Sequence, residues 1–239
     1  MRIIHLEETE STNEYVKNNI RNLADNTVVY ADKQTKGKGR LGRKWVDTGK
    51  ENLYMTLVLK PFSVMNPIYA NFTQYLSVIL SMVLEEEYNL KCEIKWPNDV
   101  LVNGKKIAGI LSECTTQGVE FLGLALGIGV NLNTEQKVLD KIDKPAASVF
   151  TQTGIYVDRD VFLKKLLTKF FLYYDRFKDE GFLSVKSAYT SRAVFLGRNI
   201  SINVLGQVHK GMADEITDNG SLGLIENNQK NIYFIGDIL

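Results

Sequence analysis

The sequence predicts an α+β fold that ends in a small all-β module, on three observations. Two stretches, 66–88 and 158–178, repeat apolar residues at helical spacing. Around them lie short β-branched runs, two of which flank Asn103-Gly104, a dipeptide suited to a type I′ hairpin turn. After Leu196 the helical spacing stops, and short alternating runs separated by turn residues take over. With 239 residues, 44% of them apolar, the chain has enough material for a buried core. Disordered and collagen-like classes are excluded by the same composition.

Taken in order, residues 2–6 read as a short strand. Ser11-Thr12-Asn13-Glu14 fits a capping box, with Ser11 as N-cap, and opens a helix to about Asn22. Residues 27–31 are a β-branched strand. Residues 33–47 have no apolar periodicity and form a loop, and 52–60 form a strand stopped by Pro61. In the helix over 66–88, Tyr69, Phe72, Leu76, Ile79, Leu80 and Val83 follow the spacing. Residues 93–96 form a short strand, 100–102 and 106–114 the hairpin arms, and 119–130 a glycine-rich strand. Asp158 caps a helix to about Lys178, with Phe162, Leu166, Phe170, Tyr174 and Phe177 on one face, and 182–192 add another helix. The runs 199–205, 207–216, 221–226 and 231–235 make the β module, a barrel or sandwich. This divides the chain into 1–194 and 195–239. So short a module is marginal alone and is expected to pack on the main domain.

Lys plus Arg total 29 and Asp plus Glu 28, so a globally basic nucleic-acid binder is not indicated. Two cysteines make no disulfide framework. Cys92 and Cys114 read as buried small hydrophobes rather than nucleophiles. The only histidines are His5 and His209, and no cluster suggests zinc or a His-based triad. The start of the chain, residues 1–8, is too acidic for a signal peptide. The longest apolar stretch, 75–84, is interrupted by Ser77 and Ser81 and is too short to span a bilayer. A cytoplasmic protein without a membrane partner is expected.

Charge is nonetheless concentrated. Lys33, Lys36, Lys38, Arg40, Arg43 and Lys44 fall within twelve residues without an acid, leaving −5 on the remaining 227. Gly37, Gly39 and Gly42 interleave them, permitting close backbone approach to a ligand. Exposed N–H groups with cations suit an anion, above all phosphate. The letters satisfy G-x-G-x-x-G, but a strand follows instead of a helix and no acid stands about 20 residues on, so the dinucleotide reading fails. A solvated basic loop remains open at this point, as does a nucleic-acid contact. Trp45 favours function, because its face can stack on a base.

Lys95-Trp96-Pro97-Asn98-Asp99 lies between a strand and the hairpin. It reads either as a turn or as a lysine and carboxylate serving an anionic ligand or Mg²⁺. Gly127-Ile128-Gly129-Val130-Asn131 closes a strand, either as a plain strand end or as a close-approach site.

Ser11-Thr12-Asn13, Gln34, the run from Gly37 to Trp45, Lys95-Trp96-Pro97-Asn98-Asp99, Lys106-Ile107-Ala108-Gly109-Ile110-Leu111 and the run from Gly127 to Asn131 stand in the order seen in biotin–protein ligases. The chain resembles the bacterial members that act as biotin–[acetyl-CoA-carboxylase] ligases, over nearly its whole length. The resemblance implies a mixed, mainly antiparallel sheet with flanking helices, a class II synthetase-like core, and an SH3-like C-terminal barrel. It implies activation of biotin by Mg-ATP to biotinyl-5′-AMP, then transfer of biotin to one lysine of the carboxylase's biotin carrier domain.

By the same resemblance, Ser11, Thr12, Asn13, Gln34, Lys38, Gly39, Arg40 and Lys95 line the biotin site, with Ser11 and Asn13 facing the ureido ring. Gly37, Arg40, Arg43, Trp45, Asn98 and Asn131 serve the nucleotide, and Asp99 the metal. Lys95 and Arg40 are the implied catalytic pair, offsetting repulsion between carboxylate and phosphate. The sequence departs from the family at Lys38, where arginine is common, and at Leu41, where a basic residue is common. Only ten residues precede Ser11, so a ligase without operator-DNA binding is expected, as a monomer or weak homodimer. A lipoate-type acyl ligase and a non-enzymatic nucleic-acid binder are the alternatives.

Overall fold

The computed structural model describes residues 1–60 and 67–239. The expected strand stop at Pro61 and helix start at Asn66 lie outside the described residues. Seven strands form the main sheet in the order β1-β2-β3-β7-β6-β5-β4. They are β1 (Arg2–Thr9), β2 (Thr27–Gln34), β3 (Leu53–Leu59), β4 (Cys92–Lys95), β5 (Asp99–Val102), β6 (Lys105–Gln117) and β7 (Glu120–Val130). Only β1 and β2 run parallel; the other pairs are antiparallel. The hairpin between β5 and β6 turns through Asn103 and Gly104, both at positive φ, as a type I′ turn requires.

Strand alternation sends neighbouring side chains to opposite faces. Val28, Leu57, Leu124 and Leu126 join one apolar cluster, while Val29, Val58 and Ala125 join another. The first face is covered by α2 (Phe72–Tyr88), α5 (Arg159–Glu180) and α6 (Leu183–Thr190), which pack on one another. Their contact is aromatic: Tyr75 stacks on Phe177 at 4.2 Å, and Phe72 meets the same ring edge-on at 5.0 Å. The opposite face carries α1 (Thr12–Asn19), which, with the turn that follows it, buries Val16, Ile20 and Leu23 on the sheet. Beyond α1, this second face borders a cavity lined by the loop around Trp45.

Two short helices escape the periodicity argument, α3 (Gln136–Leu139) and α4 (Val149–Thr153); one turn each is too brief to show it. Asp158 caps α5 as expected, accepting from the N–H groups of Asp160 and Val161 at 2.9 Å. The capping box at Ser11 does not form. Ser11 makes no side-chain cap bond, and the Glu14 carboxylate, instead of reaching back to the Ser11 N–H, pairs with Lys17 at 2.9 Å and Lys38 at 2.6 Å. Helix α1 also ends earlier than expected, at Asn19. Residues 67–71 form a 3₁₀ turn and α2 itself starts at Phe72. Cys92 is buried, but Cys114 is exposed, contrary to expectation, because β6 extends past the covered part of the sheet.

The C-terminal strands β8 (Asn199–Val204), β9 (Gln207–Ile216), β10 (Leu222–Glu226), β11 (Gln229–Tyr233) and β12 (Asp237–Ile238) form an antiparallel sheet in the order β11-β10-β9-β8-β12. Ile202, Ala213, Ile216, Leu222, Leu224 and Ile238 belong to the same buried cluster as α2 and α5. Side chains of the main body also grip the 217–220 turn. Asn71 donates to the Asn219 carbonyl at 2.9 Å, and Gln74 and Trp96 donate to the Gly220 carbonyl at 2.8 and 3.1 Å. Among the described residues, no helix is long and apolar enough to cross a membrane.

Candidate active site

The part of the second face beyond α1 holds a cavity of about 500 Å³. Its floor lacks side chains by sequence. Gly109 on β6 pairs in register with Gly129 on β7, and Gly127 lies two residues before it on the same face. The space is used by neighbours. A Cβ on Gly127 would stand 2.0 Å from Asn13 Oδ1, and one on Gly129 would stand 2.4 Å from the Trp45 ring. A Cβ on Gly109 would stand 2.8 Å from the same ring.

One end of the cavity is neutral and polar. The start of α1 and the end of β2 meet there, where Gln34 Oε1 accepts from the Thr12 N–H at 2.9 Å and the Thr12 hydroxyl at 3.2 Å. Thr56 on β3 donates to Asn13 Oδ1 at 2.6 Å. The Asn13 amide donates to the Leu111 carbonyl at 3.2 Å and to Glu113 at 2.9 Å. Asn13 is thus held at both ends of its amide. Ser11, Thr12, Asn13 and Gln34 are all buried, and Thr12, Asn13 and Gln34 are fixed by these bonds.

The other end is cationic. The basic loop forms a tight hairpin: Gly39 N–H donates to the Arg43 carbonyl at 2.8 Å, and Trp45 N–H to the Gly37 carbonyl at 3.0 Å. The loop is not a bare solvated cation. Lys33, Lys36 and Lys38 each meet an acid, Glu8, Glu10 and Glu14, at 2.6 Å. Arg40 and Arg43 both contact Asp237. Trp45 lies across the glycine floor with its indole Nε1 buried and unpartnered.

Of the residues that the resemblance implied, Ser11, Thr12, Asn13, Gln34, Lys38, Gly39, Arg40, Arg43, Trp45, Asn98, Asp99 and Asn131 line this one cavity. Asn98 is fixed by its amide donating to the Ile110 carbonyl at 3.0 Å, and Asn131 by donating to the Ala147 carbonyl at 3.1 Å. Gly37, within the loop, faces its other arm: a Cβ there would meet the Trp45 carbonyl at 2.6 Å.

Lys95, implied by the resemblance as a catalytic and biotin-contacting residue, is not among the residues that line the cavity. It ends β4, the edge strand, paired with Asp99. Burial, with Lys144 and Lys106 nearby, holds its ammonium below the usual lysine range. The lysine on the wall is Lys106, on β6. Its Nζ lies 2.7 Å from Asp99 Oδ1 and 5.4 Å from the centre of the Trp45 ring. The signal for it was present, since Lys106 opens the segment 106–111 that carries part of the resemblance. Thr56 and Asp237 carried no motif and were missed. Among the described residues, no group of three or more His, Cys, Asp or Glu side chains could hold a metal ion.

The comparison with known proteins places this α+β core, with its glycine-floored cavity and basic loop, among the ligases. Residues 6–131 match the model of the biotin/lipoate A/B protein ligase family, and the chain belongs to that family. Within it, the likeness is to the biotin ligases. The chain is 34% identical to the biotin–[acetyl-CoA-carboxylase] ligase of Paracoccus denitrificans, over 91% of each chain. It is 32% identical to the bifunctional ligase/repressor BirA of Bacillus subtilis, over 95% of this chain and 70% of that protein. The biotin protein ligase of Aquifex aeolicus, solved with biotin and ATP, superposes with a TM-score of 0.84 at 28% identity, covering 100% of this chain and 97% of the other.

Proposed function

We propose that this chain is an ATP-dependent biotin–protein ligase that biotinylates the carrier domain of acetyl-CoA carboxylase. The observation that carries the reading is the cavity itself. A neutral hydrogen-bonding end built from Thr12, Asn13 and Gln34 continues over a glycine floor into a cationic end built from Arg40, Arg43 and Lys106. A ureido ring with a carboxylate tail fits that polarity in one direction.

In the first step a biotin carboxylate oxygen bonds to the α-phosphorus of ATP, and pyrophosphate leaves with the electrons of the broken P–O bond. In the second, the carrier lysine amine attacks the acyl carbon, gives up a proton, and releases AMP. The chain supplies position and charge to both steps. Lys106, held by Asp99, lies where carboxylate and phosphate approach. Arg40 and Arg43 face the phosphates, and the ordered loop keeps water from the hydrolysable acyl-adenylate. Asp99, a carboxylate on the cavity wall, would hold a Mg²⁺ ion together with the nucleotide phosphates. Mg²⁺ takes one or two carboxylates with substrate phosphates, and when bound it supplies neutralisation of the triphosphate.

The deciding experiment is ATP–pyrophosphate exchange with biotin and, in parallel, with lipoate. Exchange with biotin and none with lipoate is expected. Exchange with lipoate alone would replace the reading by its nearest alternative.

A further inference from the structure

The C-terminal module reaches into the site through one carboxylate. Asp237, on β12, has a side chain only 5% exposed. Its Oδ1 lies 2.7 Å from Arg40 Nη1 and its Oδ2 lies 2.8 Å from Arg43 Nη2, so each oxygen takes a different guanidinium. Arg40 Nη1 also donates to the Gly236 carbonyl at 3.1 Å and to Asn98 Oδ1 at 3.4 Å. The strand is seated firmly. Gly236 has a φ of 143°, and a Cβ there would stand 3.1 Å from the Asn203 carbonyl and 3.4 Å from the Trp96 ring.

A guanidinium has five N–H donors in a fixed plane. Asp237 takes one nitrogen from each arginine, and the remaining donors of both are uncommitted to it. Both arginines line the cavity, whereas Asp237 does not. A buried carboxylate that faces two cations cannot release either without being left undercompensated. It therefore fixes where the two arginine heads stand before a nucleotide arrives, on a glycine-rich loop with little intrinsic order of its own.

We propose that Asp237 is a positioning residue for adenylate formation: it clamps Arg40 and Arg43 by one nitrogen each, leaving the other donors aimed at the nucleotide phosphates. The proposal rests on the ligase reading and extends it to the C-terminal module, whose part in the reaction is then to order the loop.

The test is Asp237→Asn, which keeps shape and removes charge. Three quantities are read: the KM values for ATP and for biotin in the exchange assay, the thermal midpoint, and the rate of trypsin cleavage after Arg40 and Arg43. The expected result is an ATP KM raised about tenfold, the effect of losing one charge-assisted hydrogen bond. The biotin KM stays near wild type, the thermal midpoint falls modestly because a buried ion pair is broken, and cleavage of the loop accelerates. Combining Asp237→Asn with Arg43→Gln should cost less than the sum of the two single changes, because they share the Asp237–Arg43 contact, while the Arg40 contact is disturbed only by Asp237→Asn. An unchanged ATP KM with unchanged cleavage would overturn the proposal. A parallel rise of both KM values would also overturn it, reducing Asp237 to a structural bridge. A wild type without biotin-dependent exchange would instead remove the ligase reading, and trypsin cleavage would then decide alone whether Asp237 holds the loop.

Discussion

Asn13 Oδ1 fills the place that a side chain on Gly127 would need, since a Cβ there would come within 2.0 Å of it. The amide is pinned by Thr56, Leu111 and Glu113, so it has nowhere to retreat. Gly127→Ala should therefore displace Asn13 and weaken biotin at least about tenfold, the cost of one misplaced hydrogen bond in a buried site. Calorimetric titration with biotin measures it, and wild-type affinity would mean that Asn13 is not a biotin contact.

Two lysines compete for the central role, and geometry separates them. Lys106→Met should lower the rate of biotin-dependent exchange by about 10²–10³, as loss of one preorganised charge at a reacting centre does. Lys95→Met, off the wall, should lower it far less. The reverse order in single-turnover assays would restore Lys95 to the centre.

The aromatic cluster under the opposite face predicts a loss of stability. Phe177 is fully buried between Phe72 and Tyr75. Phe177→Ala should cost about 3–5 kcal/mol. Urea denaturation would show that, while biotin affinity of the remaining folded protein stays within about twofold, since the ring lies across the sheet from the cavity.

The two thiols should differ with pH. Burial pushes the Cys92 thiol up to about 12. Folded protein at pH 8 then has roughly one Cys92 thiolate in ten thousand, and a thiolate-specific reagent should reach it only on unfolding. Cys114 is exposed and should react in the folded state, though more slowly than free cysteine because partial burial of the thiol raises its pKa too. An unfolded thiol ionises near about 8.5. The Cys92 contribution to stability is therefore intact below that pH and is lost as pH rises toward about 12. Rapid labelling of Cys92 in the folded protein would contradict this.

Much of the molecule was legible because local chemistry and tertiary structure agree. Asn103-Gly104 made its hairpin, Asp158 capped its helix, and the apolar faces of α2 and α5 became one core. The glycine segment 127–131 was ambiguous in sequence, because a glycine reads alike in a strand end and in a ligand floor; only its pairing with Gly109 and the overlying Trp45 decides. Ser11 carried a capping signal, yet Glu14 pairs with Lys38 and Lys17 instead. Lys95 and Lys106 were hard to rank because choosing the inward lysine requires knowing which strand lies at the sheet edge. Asp237 was invisible, since a two-residue strand has no period and its arginine partners lie 197 and 194 residues away.

The glycine floor also constrains how such a protein can be re-engineered. Where the surface under a ligand is main chain, there is no side chain to exchange for a smaller or larger one, and every substitution only adds bulk. On the ligase reading, acceptance of altered biotins would have to be selected in the walls, at Thr12, Asn13 and Gln34. Libraries that leave Gly109, Gly127 and Gly129 untouched should retain far more folded, ligand-competent members than libraries that vary them.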